Sequence, residues 1–130
     1  SPALLNNEIN FSIDKIKIQN KDKISYNIKN SLKKYADLSD KKRSIDIEII
    51  TDNKKKITSK DQKGNPKTFN ITIIVKLILL EDSMKRDKEF SESFSYQNKS
   101  NKFELKNYED TIQDNLINKI ILDIDKFLFK

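Results

Sequence analysis

Residues 69–80 constrain the fold more than any other segment, because their apolar side chains recur with a period of two, as in a strand. One face of the segment is entirely apolar and carries Phe69, Ile71, Ile73, Val75, Leu77 and Leu79. Toward its end the other face becomes apolar too, with Ile74, Ile78 and Leu80. Such a strand is typical of the centre of a sheet, or of a sheet face that meets a partner. The segment therefore predicts a long central strand.

Two earlier segments also have the period of a strand. Residues 11–18 alternate, but the alternation changes phase near Asp14 and Lys15. This change predicts a β-bulge there, or a strand that is paired only along its second half. Residues 45–49 alternate isoleucine with acidic side chains, and we expect this strand to continue toward Ile57.

A hairpin turn is predicted at residues 60–67, because they contain a proline and Gly64, the only glycine of the chain. Residues 81–88 are highly charged and predict another turn. After it, residues 90–96 alternate aromatic side chains with serine, which predicts the final strand. Glu92 lies on the aromatic face of this strand, and exposure at an edge of the sheet is a simpler explanation for it than a buried functional acid.

Two segments have the period of a helix. The first follows Asn20 or Asp22, either of which can cap a helix, and its apolar stripe consists of Ile24, Ile28, Leu32 and Tyr35. The second begins with a capping box, Asn101 and Glu104, and its stripe consists of Leu105, Tyr108, Ile112, Leu116, Ile120, Ile124 and Phe127. Its carboxylates are predicted to form a solvated face made of Glu109, Asp110, Asp114, Asp123 and Asp125.

The predicted order of elements is therefore β-α-β-β-β-α. Consecutive strands between two helices indicate an α+β fold, in which both helices pack on one face of a four-stranded antiparallel or mixed sheet. A chain of 130 residues suits one hydrophobic core. We therefore expect a single domain at residues 11–130, preceded by a flexible lead-in at residues 1–10.

The residue types exclude most catalytic chemistry. The chain has no Cys and no His, which excludes thiol nucleophiles, His general bases and zinc sites built on sulfur or imidazole. A single glycine also excludes a glycine-rich phosphate-binding loop. We therefore predict a binding protein with no catalytic residues, no metal ligands and no cofactor. An enzyme that uses Lys, Tyr and carboxylates stays open as an alternative.

The net charge is +6 at pH 7, and two clusters of lysine are candidates for binding an anionic partner. The first cluster surrounds the predicted hairpin and contains Lys54, Lys55, Lys56, Lys60, Lys63 and Lys67. The second flanks the start of the last helix and contains Lys99, Lys102 and Lys106. The codons of an AT-rich genome offer a plainer explanation, since Arg occurs only at Arg43 and Arg86. Solvated hairpin lysines are equally ordinary, so charge alone does not assign a site.

The order of elements and two short segments resemble the LPS-assembly lipoprotein family LptE, also called rare lipoprotein B. The segments are residues 59–71, SKDQKGNPKTFNI, which lead into the long strand, and residues 108–112, YEDTI, in the last helix. The resemblance covers residues 11–128. It implies a non-catalytic lipoprotein domain on the periplasmic side of the outer membrane, anchored by lipid on a cysteine that this sequence does not contain. Residues 1–10 would then follow that cysteine.

The resemblance further implies two partners, an LptD-like outer-membrane β-barrel and lipopolysaccharide. A member of this family plugs the barrel, helps it assemble and binds lipopolysaccharide through basic residues that meet the lipid A phosphates. Those residues lie near the turn between the second and third strands and near the last helix. Lys63, directly before Gly64, best matches the first position, and Lys102 or Lys106 the second. The full set of candidate residues is Lys60, Lys63, Lys67, Lys102 and Lys106.

Two other functions stay open. Without the first strand the order becomes α-β-β-β-α, as in a double-stranded-RNA-binding domain, and the positive charge suits that ligand. Against this, the last helix has only Lys102 and Lys106 near its start, and the scarcity of Arg disfavours the recognition of base edges. We therefore expect no nucleic-acid partner. The other alternative is a periplasmic protein-interaction domain of similar shape with a different partner.

Overall fold

A computed structural model describes residues 9–38 and 43–129 of the chain. The strands are β1 (Phe11–Ile18), β2 (Arg43–Lys60), β3 (Pro66–Glu81) and β4 (Met84–Gln97). The helices are α1 (Lys23–Leu32), which is followed by a short 3-10 turn (Lys33–Tyr35), and α2 (Lys102–Leu128). The predicted α+β fold and the predicted order of elements are confirmed. The predicted lead-in at residues 1–10 lies outside the described residues except for Ile9 and Asn10.

β3 occupies an inner position in a mixed sheet. The strands lie in the order β1-β2-β3-β4, with β1 parallel to β2 and the other neighbours antiparallel. On one side of β3, Leu77 pairs with Ile49 of β2, and on the other side Val75 pairs with Phe90 of β4. The prediction of a central strand at residues 69–80 is therefore confirmed, and the strand is longer than predicted.

A β-bulge in β1 explains the phase change in its sequence. Ile13 pairs with Ile45, and Lys15 pairs with the next residue of β2, Asp46. Asp14 is therefore an extra residue without a partner on β2. Because one residue is inserted, apolar side chains on both sides of the bulge face the core although they differ in sequence phase.

One core lies between the sheet and both helices. All six residues on the predicted apolar face of β3 are buried. α1 packs on β1 and β2, α2 packs on β3 and β4, and the two helices contact each other, so both lie on the same face of the sheet. The helices bury Ile24, Ile28, Leu32, Leu105, Ile112, Leu116, Ile117, Ile120, Ile124 and Leu128. Tyr108, predicted in the apolar stripe, lies instead at the rim of the core, where its ring meets Tyr96 edge to face.

Side-chain caps start both helices. The Asp22 carboxylate accepts a hydrogen bond at 2.7 Å from the backbone N–H of the third residue after it, and Asn101 does the same for Glu104 at 3.0 Å. Asn20, the other predicted cap of the first helix, has a different role. Its amide donates to the Thr51 carbonyl at 2.8 Å and its oxygen accepts from the Thr51 N–H at 3.1 Å. Asn20 therefore ties the loop before α1 to β2.

The charged turn predicted at residues 81–88 is confirmed only near its start, and its predicted length is wrong. A two-residue turn, Asp82 and Ser83, joins β3 to β4, and pairing begins at once with Glu81 opposite Met84. Both turn residues have positive φ, 50° and 65°, which suits the twist of a tight hairpin. The charged residues after Met84 belong to a strand because β4 lies at the edge of the sheet, where solvent reaches their side chains.

Leu116 tests whether α2 packs as described. Its side chain is 2% exposed, so Leu116→Ala should lower the free energy of unfolding by about 2–5 kcal/mol in urea denaturation. Leu122→Ala is the matched control, because Leu122 lies on the same helix and is 51% exposed. It should change the free energy of unfolding by less than about 0.5 kcal/mol. Equal effects of the two substitutions would contradict the packing of α2 on the sheet.

Candidate anion-binding site

One carboxylate shapes the hairpin between β2 and β3. Asp61 accepts hydrogen bonds from the backbone N–H groups of Lys63 and Asn65, both at 2.9 Å. The Asp61 N–H donates to the Asn65 carbonyl at 2.9 Å, and the Gly64 N–H donates to the Asp61 carbonyl at 3.0 Å. Gly64 has a φ of 86°, which residues with a side chain rarely adopt. The predicted hairpin turn around the only glycine is confirmed.

Asn98, just after β4, ties this hairpin to the start of α2. Its backbone N–H donates to the Lys67 carbonyl, and its side-chain amide donates to the Pro66 carbonyl, both at 2.9 Å. Its side-chain oxygen accepts a hydrogen bond from the Lys99 N–H at 2.8 Å. These contacts hold the first residues of β3 against the segment that leads into α2. The two lysine clusters of the sequence therefore meet at one end of the sheet.

The place where they meet is an open cleft of about 530 Å³, lined by Asp61, Asn65, Pro66, Lys67, Gln97, Asn98, Lys99, Ser100 and Lys102. Three of these side chains are lysines. The one acidic side chain is that of Asp61, whose carboxylate already accepts two backbone hydrogen bonds. The first turn of α2 lies beside the cleft, and the N–H groups at a helix start favour negative charge. Ammonium, amide and hydroxyl groups in this arrangement can hold a phosphate or another anion.

The five predicted anion-binding lysines differ in their position relative to the cleft. Lys67 and Lys102 line the cleft. Lys60 and Lys63 are exposed on the adjoining hairpin and do not line the cleft. Lys106 lies one turn into α2, where its ammonium pairs with a carboxylate of the following turn at 3.5 Å. Two of the five are therefore brought together, and the other three lie around them.

Lys99 is a cleft residue that the five candidates omit. Its ammonium lies 4.9 Å from the centroid of the Tyr108 ring, a cation–π contact that orients the side chain. The sequence carried a usable signal, because Lys99 lies two residues before the helix cap Asn101. A lysine at that distance from a helix start lies where the helix N–H groups also attract an anion.

Glu109, predicted on a solvated face of the last helix, is instead a structural contact. Its carboxylate accepts a hydrogen bond from the Tyr96 hydroxyl. The same carboxylate forms an ion pair with the Lys55 ammonium at 2.8 Å. Burial raises the pKa of Glu109, but the hydrogen bonds from Lys55 and Tyr96 outweigh burial and hold the pKa below its ordinary value. Glu109 faces the sheet because it lies four residues after Leu105 and three before Ile112, at the border of the apolar stripe.

Asp125 makes a similar contact at the other end of α2, so the prediction of a solvated face is wrong there too. It accepts hydrogen bonds from the Tyr35 hydroxyl at 2.7 Å and from the Lys34 ammonium at 2.8 Å. Burial and then the bond to Asp125 raise the pKa of Tyr35, which keeps the hydroxyl protonated as a donor. Asp114 is largely exposed and pairs with Lys23 at 2.9 Å. These contacts hold α2 against α1 and the 3-10 turn.

Glu92 lies on an edge strand, as predicted, but its side chain is half-buried against α2. A hydrogen bond with Asp123, burial and the negative charge of Asp123 raise the pKa of Glu92, and Lys119 partly lowers it. Two carboxylates that face each other repel when both are ionised. The edge of the sheet therefore carries a carboxylate pair that is unfavourable at neutral pH.

Two classes of site have no candidate among residues 9–38 and 43–129. Their His, Cys, Asp and Glu side chains form no group of three or more that could hold a metal ion. None of the helices in these ranges combines the length and the apolar character that crossing a membrane requires.

Comparison with known proteins identifies solved structures with a similar fold. No family model and no curated protein matches the chain. The crystal structure of the rare lipoprotein B from Shewanella oneidensis matches it with a TM-score of 0.63 and 11% identity over 90% of both chains. The chain has the rare lipoprotein B fold. The resemblance predicted from the sequence is thereby confirmed at the level of the fold.

Two further solved structures share this rare lipoprotein B fold. The solution structure of an uncharacterized lipoprotein B from Nitrosomonas europaea matches with a TM-score of 0.60 and 11% identity, over 95% of this chain and 88% of that one. The crystal structure of a putative lipoprotein from Caulobacter crescentus matches with a TM-score of 0.59 and 11% identity, over 95% and 92%. In both cases the likeness spans about nine-tenths of each chain or more.

Replacing Glu92 with Gln should stabilise the domain at pH 7, because it removes the charge that Asp123 opposes and keeps a hydrogen-bonding group. A carboxyl whose pKa is raised by folding contributes stability below its unfolded pKa, about 4.3, and that contribution is lost as the pH rises through the folded value. The melting temperature of Glu92→Gln should therefore exceed that of the wild type at pH 7, and the difference should vanish below about pH 4.

Glu89→Gln is the control for this measurement, since Glu89 lies on the other face of the same strand and carries the same charge. A variant Glu92→Gln that melts at the wild-type temperature at pH 7 would contradict the contact with Asp123. Equal shifts in the two variants would assign the effect to net charge alone.

Proposed function

We propose that the chain is a non-catalytic lipopolysaccharide-assembly lipoprotein domain. It sits inside an LptD-like outer-membrane β-barrel, helps that barrel to assemble, and binds the phosphorylated lipid A part of lipopolysaccharide. The observation that carries the proposal is the fold shared with rare lipoprotein B over nine-tenths of both chains. The cleft between the hairpin and α2 supplies the chemistry for the ligand.

The dimensions of the elements suit a plug. β3 has 16 residues and spans about 50 Å, and α2 has 27 residues and spans about 40 Å. Most of the outer face of the sheet and most of β4 carry polar and charged side chains, although Ile74, Ile78 and Leu80 of β3 make part of the outer face apolar. A polar surface of this kind suits the lumen of an outer-membrane barrel, which is also polar.

The cleft would hold the lipid A phosphates through Lys67, Lys99 and Lys102. Each ammonium would pair with phosphate as a point charge, and single exposed pairs of this kind are weak. The cleft favours phosphate binding because three lysines line it together. Lys60 and Lys63 on the hairpin, together with Lys106 on α2, would extend the positive surface around the phosphates.

The same proposal places the domain on the periplasmic side of the outer membrane. The attachment would be a lipid on a cysteine that precedes Ser1. The Nitrosomonas europaea and Caulobacter crescentus structures with this fold are also of lipoproteins, which supports the assignment. Such an anchor would not be among the residues that line the cleft, so anchoring and ligand binding would be separable functions.

Charge reversal tests the cleft. The triple variant Lys67→Glu, Lys99→Glu, Lys102→Glu should weaken binding of lipopolysaccharide to the domain by about tenfold or more, because it replaces the converging ammonium groups by repulsive carboxylates. The affinity is measured by titration at two salt concentrations. The domain should stay folded, since all three side chains line an open cleft.

The triple variant Lys21→Glu, Lys33→Glu, Lys85→Glu changes the net charge by the same amount at exposed lysines that do not line the cleft, and it is the control. A cleft triple that binds like the wild type would contradict the proposal, and so would equal losses in the two triples. Binding of double-stranded RNA in place of lipopolysaccharide would favour the nucleic-acid alternative.

The barrel partner is tested separately by co-expression with an LptD-like barrel and by purification of the barrel. We expect the domain to co-purify in a stable complex, and the cleft triple variant to co-purify equally well, because the cleft is only one end of the surface that would meet the barrel. A domain that is recovered free of the barrel would contradict the plug and favour an interaction domain with another partner.

A further inference from the structure

The edges of the sheet are protected to different degrees. β1 is one edge strand, and the bulge at Asp14 interrupts it. The segment after α1 covers the first half of β1. In that segment Ala36 pairs with Ile13, and the Asp37 N–H donates to the Ile13 carbonyl at 3.4 Å. Bulges and covering segments prevent a foreign strand from pairing with an edge. The β1 edge is therefore blocked.

β2 forms a second edge beyond Ile49, where its pairing with β1 ends. This exposed stretch carries Lys54, Lys55, Lys56 and Lys60. Lysine side chains on an edge strand discourage pairing with another edge. The β2 edge is therefore protected by charge.

β4 is the remaining edge, and only its first half is protected. Residues 85–89 are all charged, whereas residues 90–97 contain a single charged side chain, Glu92. Pairing of β4 with β3 has no bulge, and within the described parts of the chain no strand pairs with its other side. Residues 90–97 therefore present a regular row of backbone N–H and C=O groups that a further strand could use.

An apolar groove lies beside this open edge. Phe94 is 45% exposed and forms a groove of about 360 Å³ with Ile112, Asn115, Leu116 and Lys119 of α2. α2 packs on β3 and β4, so it forms the wall of the groove above the edge. In a strand added to β4, every second side chain would point toward this face of the sheet and enter the groove.

The carboxylate pair defines which strand fits. Glu92 lies two residues before Phe94, on the same face of β4, and meets Asp123 of α2. Lys119, the basic residue beside the pair, offsets its charge only in part. A Lys or Arg on an added strand would relieve the repulsion, whereas an acidic residue would increase it.

We infer that residues 90–97 are a docking site for an extended strand of a partner protein, whose inward-facing side chains follow the pattern apolar, basic, apolar. Backbone hydrogen bonds to β4 provide affinity. The groove and the Glu92–Asp123 pair provide specificity. The site goes beyond lipopolysaccharide binding and does not depend on it, because the β4 edge and the cleft share only Gln97 and none of the lysines.

A second copy of this chain is a poorer occupant of the same edge. Two β4 strands that pair edge to edge would be related by a twofold axis perpendicular to the sheet. Both α2 helices would then lie on the same face above the shared edge and compete for one space. A single extended segment meets no such obstacle.

Synthetic peptides test the inference on the full chain. In the first peptide, Thr alternates with Leu, Lys and Leu, so that Leu, Lys and Leu can face inward. The second peptide has Glu in place of Lys. We expect the Lys peptide to protect alternate backbone amides of residues 90–97 from hydrogen exchange, as followed by NMR. The Glu peptide should bind more weakly by about fivefold or more, because a cross-strand charge contact changes from attraction to repulsion.

Charge exchange at Glu92 decides whether the contact is specific. Glu92→Lys should reverse the preference between the two peptides, and Glu89→Lys, on the other face of β4, should leave it unchanged. Circular dichroism checks that both variants keep the fold. Absence of protection in β4 with either peptide would overturn the inference, and so would equal effects of the two variants. Sedimentation that shows two copies joined through β4 would overturn it in favour of a dimer.

Discussion

The apolar face of β3 can be buried only if both helices lie on the same side of the sheet, and the rest of the structure follows from that constraint. Ile73, Val75 and Leu77 are fully inaccessible to solvent. Burial of such side chains is the dominant favourable contribution to folding. α1 is too short to cover the sheet alone, so α2 covers β3 and β4 while α1 covers β1 and β2.

Polar contacts then fix the position of α2 over the core. Glu109 meets Tyr96 and Lys55 toward one end of the helix, and Asp125 meets Tyr35 at the other. Each carboxylate accepts a hydrogen bond from the hydroxyl of a buried tyrosine, which gives that hydroxyl a partner. A helix that is held at both ends cannot slide along the sheet. Its first turn is therefore held beside the hairpin, where the cleft forms.

The same constraint separates the two proposed binding surfaces. The cleft lies at the end of the sheet, where Asn98 joins the β2–β3 hairpin to the start of α2. The β4 edge lies along the side of the sheet, beneath the middle of α2. One surface is basic, and the other combines an apolar groove with two carboxylates. The two proposed ligands would therefore be of opposite character and would bind at separate places.

Local patterns in the sequence were sufficient to predict the elements and their order. The phase change near Asp14 predicted either a bulge or a half-paired strand, and the structure has the bulge. The single glycine predicted the hairpin turn. Both are local consequences of backbone geometry. The start of β4 at Met84 was not predictable in this way. Charged residues look like a turn until the sheet order places them on an edge strand. Edge position is a property of the whole sheet.

The candidate site was predicted less completely than the fold, for the same reason. Lys67 and Lys102 were named from their clusters, but their meeting at one cleft depends on Asn98, whose contacts are tertiary. Glu109 was assigned to a solvated face because helix period alone does not show what lies opposite the border of a stripe. Its partners Tyr96 and Lys55 lie on β4 and β2.

An NMR titration of the labelled domain with lipopolysaccharide tests most directly whether the joined hairpin and helix start form the ligand site. The proposed site predicts that the largest changes in backbone amide resonances fall on Lys67, Asn98, Lys99 and Lys102, while the resonances of β1 and α1 stay in place. Changes that are concentrated on β1 or α1, or no changes at saturating ligand, would contradict it.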